Sequence, residues 1–256
     1  MNDKITNFQA LAEIIELLRE QQSMLADIVN DLPKEPVNEV ELSLKIRAII
    51  SLSMVRMHNA GEIDIYQIKT FDFLQSVVEQ IGADDNSPIE IHMSSAESRL
   101  ESARLCLESG DSESALIIVS SLIESEINTA IRIAMRLRNF SHGTISASLK
   151  GTDLKTKMNV ILPLLQVKMS ERQRQIALAQ NSVRNNILHF KAVPILEHDK
   201  WSSESDYHKV KNQAKAFFDE YSLDIIEDFF LSFIDCVVEE QPHVRYAFDL
   251  FEKLSC

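Results

Sequence analysis

Apolar residues recur at three- and four-residue spacing along most of the chain, the spacing that places them on one face of an α-helix. Polar runs containing Gly or Pro separate these stretches. The pattern predicts a polar loop at 139–150 and a helix after Pro242. It predicts further helices at 5–29, 39–58, 65–81, 94–109, 112–138, 153–167, 170–190 and 207–239, the last as one helix or two. The fold class is therefore predicted to be all-α.

The composition agrees with this prediction, because the 256 residues include only 5 Gly and 6 Pro. Strand-rich folds need many tight turns that use these residue types, so their scarcity favours long helices. The clearest linker lies at 82–88 and reads GADDNSP. We expect a domain boundary there, between an N-terminal helical region at 1–88 and a helical domain at 89–256.

Neither the N-terminus nor the hydropathy pattern predicts export or membrane insertion. Residues 1–18 carry charges throughout and lack a basic segment followed by an apolar core. No run of about 18 apolar residues occurs. The cysteines Cys106, Cys236 and Cys256 are odd in number and widely spaced, which disfavours a disulfide framework and a structural zinc site. We expect a cytoplasmic protein that does not engage a membrane.

Charge is distributed unevenly along the chain, whose formal net charge is -13. Between Arg132 and Lys191 there are eleven basic residues and two acidic ones, a net charge of +9, so the remainder carries -22. This pattern fits a positive site in an acidic protein that resists non-specific association. It fits equally a solvated face together with an acidic surface for an oligomer or a partner.

Few sequence signatures of catalysis occur in the chain. There is no glycine-rich phosphate loop, no Gly-x-Ser-x-Gly elbow and no His-Glu-x-x-His. The distinctive segment is 183–190, VRNNILHF, in which Arg184 is followed directly by Asn185 and, five positions after the arginine, by His189. A second pair of similar spacing, Arg136 and His142, falls where a helix ends, and we expect it to be solvated.

The segment 183–190 resembles the Arg-x(4–6)-His motif of the HEPN superfamily, small helical domains that include many metal-independent ribonucleases of toxin–antitoxin and phage-defence systems. Two further stretches, at 111–131 and 153–158, are similar to helices of that family, and the resemblance covers about 94–253. It implies an up-and-down helical bundle and an endoribonuclease that acts on RNA without a metal or another cofactor. It also implies a homodimer with a composite active site at its interface, controlled by an antitoxin or another regulatory protein.

These residue types suit RNA cleavage without a metal. A histidine such as His189 accepts and returns a proton near neutral pH, and Arg184 presents a planar charged fork to two phosphate oxygens. Asn185 would bind the phosphate or orient the imidazole. Five residues of a regular α-helix turn through about 500°, so Arg184 and His189 point about 140° apart. Either two helices meet across a two-fold axis, or a helix irregularity closes this angle.

Supporting roles follow from the resemblance and from the charge pattern. HEPN domains often carry an acidic residue that contacts the motif arginine, for which we expect Glu124. The alternative is that Glu124 and Glu126 are both exposed on the helix surface. Asn186 is a candidate supporting residue beside the motif. The basic surface that binds the substrate is expected to include three lysines, Lys155, Lys157 and Lys191.

Two other functions stay open at this point. Mannitol-operon-repressor-like proteins show a similar helix followed by an Arg-Asn-x-x-x-His-like segment, and in a non-catalytic regulator or scaffold of this kind Arg184 and His189 would be structural. A small-nucleotide sensor would use the same basic surface, since it also binds phosphate.

Overall fold

The structure, a computed structural model, describes residues 39–83, 96–192, 204–239 and 242–254. All regular elements in these residues are helical, which confirms the predicted all-α class. The helices are α1 (Glu39–Asn59), α2 (Phe71–Ala83), α3 (Ala96–Glu108), α4 (Ser112–Arg136), α5 (His142–Leu149), α6 (three consecutive pieces, Leu154–Thr156, Lys157–Ile161 and Leu162–Leu164), α7 (Glu171–Ala192), α8 (Glu204–Glu220), α9 (Leu223–Glu239) and α10 (Pro242–Leu254). The predicted helix at 5–29 lies outside the described residues.

The chain divides into two compact units that do not follow its linear order. The first unit comprises Met1–His92, Ile133–Ile145 and Gln241–Cys256, and the second comprises Met93–Arg132 and Ser146–Glu240. The division falls within α4 and within α5. The predicted domain boundary at residue 88 lies outside the described residues and stays a prediction.

In the first unit α10 packs along α1. Ile50 of α1 is 1% exposed, and Val244 and Ala247 of α10 are fully buried. The Arg47 guanidinium donates a hydrogen bond from Nη2 to the backbone carbonyl of Phe248 at 2.8 Å. Apolar burial between two helices far apart in sequence therefore holds this unit together, since isolated helices of this length are marginal in water.

In the second unit α7 packs against α8 and α9, and α9 also contacts α3. Phe229 and Phe233 of α9 are 2% and 0% exposed, and their rings stack with centroids 5.5 Å apart. Ile187 of α7 and Ala214 of α8 are buried as well. This packing fixes α7, the helix that carries the segment 183–190.

The long helix α4 is apolar around much of its circumference. Leu116, Val119, Ile123 and Ile127 are all fully buried. Within the described residues, α4 is long and apolar enough to cross a membrane by length and composition, a property that the core helices of water-soluble proteins share. More than half of that apolar window, 56%, is buried inside the protein.

In the described residues five helices are followed by a residue in the left-handed backbone region, and four of these residues share one hydrogen-bond pattern. These four residues are Gly61, Gly110, Asn139 and Gln166, with φ between 57° and 79°. In each case the N–H groups of this residue and of the next one donate to carbonyls of the last helical turn. The helix ends predicted at Gly61 and Gly110 are confirmed.

The predicted helix at 65–81 was wrong at its start, because the helix begins at Phe71. The hydroxyl of Thr70 accepts a hydrogen bond from the Phe73 N–H at 3.3 Å and so caps α2. Before it, Asp64 caps a separate 3-10 turn, Ile65–Gln67. Two competing capping residues therefore divide the predicted helix.

The predicted loop at 139–150 is also wrong, because it contains α5. The hydroxyl of Ser141 accepts a hydrogen bond from the Thr144 N–H at 3.2 Å, which starts the helix. Ile145 is 2% exposed and anchors it. One buried side chain and a cap suffice for a short helix whose sequence is otherwise polar.

Candidate functional site

The segment 183–190 lies in the C-terminal half of α7. A capping box fixes the start of this helix, since Ser170 Oγ accepts from the Gln173 N–H at 3.2 Å and Gln173 Oε1 accepts from the Ser170 N–H at 2.8 Å. Ile187 is 1% exposed and faces the interior of the second unit. Because helical side chains leave the axis at fixed angles, the burial of Ile187 sets the directions of Arg184 and Asn185.

Arg184 and Asn185 are both half-buried. Within the described part of the chain, Arg184 has neither a hydrogen-bond nor an ion-pair partner for its guanidinium. Leu188, one turn further along the same side of α7, is 40% exposed. A guanidinium that is partly removed from water and has no carboxylate beside it favours an anion from outside the chain.

His189 and Lys191 belong to α7, but their side chains are outside the described ones. The backbone of α7 is α-helical without interruption from Glu171 to Ala192. Positions 184 and 189 of this regular helix therefore lie about 140° apart around its axis. A helix irregularity, one of the two predicted ways to bring these residues together, is therefore not found in α7.

Asn186 contacts the neighbouring helix α8. Its Nδ2 donates a hydrogen bond to Oε1 of Gln213 on α8 at 3.1 Å. Asn186 itself is exposed, so the bond links the rims of α7 and α8 and lies outside their buried contact. The side chain thus joins the helix that carries the motif to its neighbour, and it is not grouped with Arg184.

Glu124 pairs with a lysine and not with the motif arginine in the described residues. The Nζ atom of Lys157 donates to Oε1 of Glu124 at 3.2 Å. The Lys157 side chain is 4% exposed and that of Glu124 is 37% exposed. Lys157 therefore directs its charge at α4, whereas Lys155, two positions earlier, is exposed.

Lys157 begins a π-helical turn, Lys157–Ile161, inside α6. Such single wide turns are frequent at functional sites.

Asp153 starts α6 by accepting bonds from the Thr156 N–H at 2.9 Å and from the Thr156 hydroxyl at 2.8 Å. These two bonds hold the pKa of the Asp153 carboxyl below its usual value. The predicted basic surface includes Lys157, but the structure buries this residue, which lies three residues after the buried Leu154 and therefore on the same side of α6.

The second arginine–histidine pair is brought together by the fold. Nη2 of Arg136 lies 3.5 Å from Nδ1 of His142, and the contact is exposed to solvent. This pair is predicted to be solvated, and its exposed contact agrees with that prediction. The signal for their proximity was Asn139, a residue type that tolerates the left-handed conformation and turns the chain between α4 and α5.

The described residues contain no group of three or more His, Cys, Asp or Glu side chains that could hold a metal ion. The functional candidates are therefore two arginine-centred groups, Arg184 with Asn185 in the second unit and Arg136 with His142 in the first. No protein-family model, curated protein or solved structure matches the chain.

Proposed function

We propose that this chain is a metal-independent endoribonuclease of the HEPN type, acting as a homodimer in a toxin–antitoxin or phage-defence setting. The observation that carries the proposal is Arg184, a half-buried guanidinium without a partner in the described residues, on the same helix as His189. A permanently charged fork held partly out of water is suited to a phosphodiester.

The proposed chemistry divides two tasks between these residues. His189 takes the proton of a ribose 2′-hydroxyl, and the 2′-oxygen then attacks the adjacent phosphorus. Arg184 binds the phosphoryl oxygens as negative charge develops on them, and Asn185 hydrogen-bonds the phosphate or the imidazole. The 5′-oxygen leaves with a proton returned by an imidazolium, which yields a 2′,3′-cyclic phosphate and a 5′-hydroxyl.

The regularity of α7 supports a homodimer. Because positions 184 and 189 lie on different sides of the helix axis, a single copy of α7 would present an incomplete set of groups to one phosphate. Two copies of α7 related by a two-fold axis would place Arg184 of one chain beside His189 of the other. Leu188, exposed one turn from Arg184, supplies an apolar contact at such an interface.

Lys155 and the net positive charge of 132–191 support an RNA partner. The exposed ammonium of Lys155 attracts the RNA backbone, and that attraction weakens as salt rises. Lys157 has a different part in this proposal, because its ammonium is buried against Glu124. It would shape α6 and would not touch the substrate.

The test is cleavage of a labelled single-stranded RNA in the presence of a chelator. We expect His189→Ala and Arg184→Ala each to lower the cleavage rate by about 100-fold or more. Arg174→Ala removes another half-buried arginine of α7 and serves as the matched control, with near-parental activity.

Activity that survives both His189→Ala and Arg184→Ala would overturn the assignment. A protein that cuts no RNA but unfolds far more easily when Arg184 is removed would instead favour the non-catalytic regulator or scaffold. Thermal stabilisation by free nucleotides, without cleavage, would favour the nucleotide sensor.

A further inference from the structure

The chain turns sharply between α4 and α5 in the first unit. Asn139 has φ of 60°, and its N–H donates to the carbonyl of Arg136 at 2.8 Å. The N–H of Phe140 donates to the carbonyl of Met135 at 3.1 Å. Four residues therefore separate the end of α4 from Ser141, and the turn returns His142 to the side of Arg136.

The contact between Arg136 and His142 is weak by itself. The 3.5 Å from Nη2 to Nδ1 is at the limit for a hydrogen bond, and it requires a neutral imidazole, whose Nδ1 accepts. A protonated imidazole would have no acceptor to offer and would place a second positive charge beside the guanidinium. Neither side chain pairs with a carboxylate in the described residues.

An anion with two or more oxygens can accept hydrogen bonds from both side chains of this pair. One phosphate oxygen accepts from the arginine and another accepts from an N–H of the imidazole, so both side chains donate to the same anion. Arginine suits this role because its N–H groups lie in a plane that matches a phosphate edge. The geometry of the pair thus fits a phosphate group.

An aromatic residue, Phe140, lies in the same turn between α4 and α5. Phe140, two residues before His142, is 40% exposed, so part of its ring surface is accessible to a ligand. The nearby hydroxyls of Ser141 and Thr144 hydrogen-bond each other at 2.9 Å. An exposed aromatic ring on the same turn as an arginine and a histidine is a combination that suits single-stranded nucleic acid, since bases stack on aromatic side chains while cations bind the backbone phosphates.

We infer that Arg136, His142 and Phe140 form a binding site for single-stranded nucleic acid, with a phosphate between Arg136 and His142 and a base against Phe140. The site lies in the first unit, and Arg184 lies in the second. The inference does not rest on the proposed nuclease, because it concerns binding and uses none of the residues assigned to cleavage.

The experiment measures fluorescence anisotropy of a short labelled RNA with the full-length protein, in chelator and at several salt concentrations. His189→Ala is the parent in all samples, which separates binding from any cleavage at the other site. We expect Arg136→Ala to weaken binding by about tenfold and to lower the slope of log affinity against log salt by about 0.7. His142→Ala and Phe140→Ala should each weaken binding by about three- to tenfold.

Two variants control for charge and for geometry. Arg245→Ala removes an exposed arginine of α10 in the same unit, and its affinity should stay within about twofold of the parent. Arg136→Lys keeps the charge but loses the planar fork, and it should recover only part of the loss. Circular dichroism melts establish that each variant is folded.

Competition with small ligands identifies which part of a nucleotide the site binds. A nucleoside monophosphate should compete better than inorganic phosphate with the labelled RNA, and this advantage should disappear in Phe140→Ala. RNA and DNA of one sequence should bind similarly, because the phosphate and the base face are common to both. Equal losses in Arg136→Ala and Arg245→Ala, undiminished binding by Arg136→Ala, or a preference for duplex over single strands would overturn the inference.

Discussion

The ammonium nitrogen of Lys157 lies 3.2 Å from Oε1 of Glu124, and the two side chains are unequally exposed, at 4% for the lysine and 37% for the glutamate. The pair joins the π-helical turn of α6 to the middle of α4. Water can solvate the carboxylate if the pair is broken, but it cannot reach the ammonium as easily. The cost of losing one partner therefore depends on which one is removed.

We expect Glu124→Ala to lower the free energy of unfolding by about 2–4 kcal/mol, because it leaves the buried ammonium of Lys157 uncompensated. Lys157→Met should cost less than about 1 kcal/mol, since it replaces the buried ammonium by an apolar side chain of similar length. Lys155→Met, at an exposed neighbour, is the matched control. Urea unfolding measures all three, and a larger loss in Lys157→Met than in Glu124→Ala would contradict this account.

A second prediction concerns the helix ends that adopt the left-handed conformation. Gly110 has φ of 79° and Gln166 has φ of 57°. Gly110→Ala should lower the free energy of unfolding by about 1 kcal/mol, because a Cβ is strained there although nothing lies within 4 Å of it. Gln166→Gly should raise it by about 0.5–1 kcal/mol. Thermal melts of the two variants test the opposite signs, and equal signs would refute the prediction.

The third prediction is a pH dependence carried by Asp153. Hydrogen bonds from the Thr156 backbone and side chain depress the pKa of its carboxyl in the folded state below 3.8, the ordinary value. The stabilisation is therefore present above the unfolded pKa and is lost as the pH falls through the folded pKa. Asp153→Asn should melt at a lower temperature than the parent at pH 7, and the gap should narrow as the pH falls towards 3. A gap that is constant with pH would argue against this cap.

Most of the helices could be predicted from the sequence, because a helix that buries one face has apolar residues at regular three- and four-residue spacing. Ile187 and the long apolar α4 are examples. The local errors arose where capping competes with periodicity. Thr70 and Ser141 each start a helix through one hydroxyl hydrogen bond, and that choice is not visible in the spacing of apolar residues. The π turn of α6 is likewise not visible in the spacing of apolar residues.

Long-range organisation was not accessible in the same way. The bond from Arg47 to Phe248 joins residues 201 positions apart, and no local pattern marks them as neighbours. In the candidate site, sequence reasoning identified Arg184 by motif, but it assigned Glu124 to that arginine. The partner of Glu124 is Lys157, whose position depends on how α6 packs against α4. Packing of this kind depends on the volumes and shapes of the side chains on both helices, and the residue pattern within one helix does not specify it.

The last prediction tests whether the proposed active site is shared between two chains. Arg184→Ala and His189→Ala are each expected to be inactive as homodimers. Random exchange of subunits makes half of the dimers mixed, and each mixed dimer holds one intact site, with Arg184 of one chain and His189 of the other. Mixing equal amounts should therefore restore about a quarter of the parental activity. A double variant, Arg184→Ala with His189→Ala, mixed with His189→Ala should restore none, because no chain in that mixture supplies a histidine. If the site is complete within one chain, neither mixture recovers activity, and the shared site is ruled out.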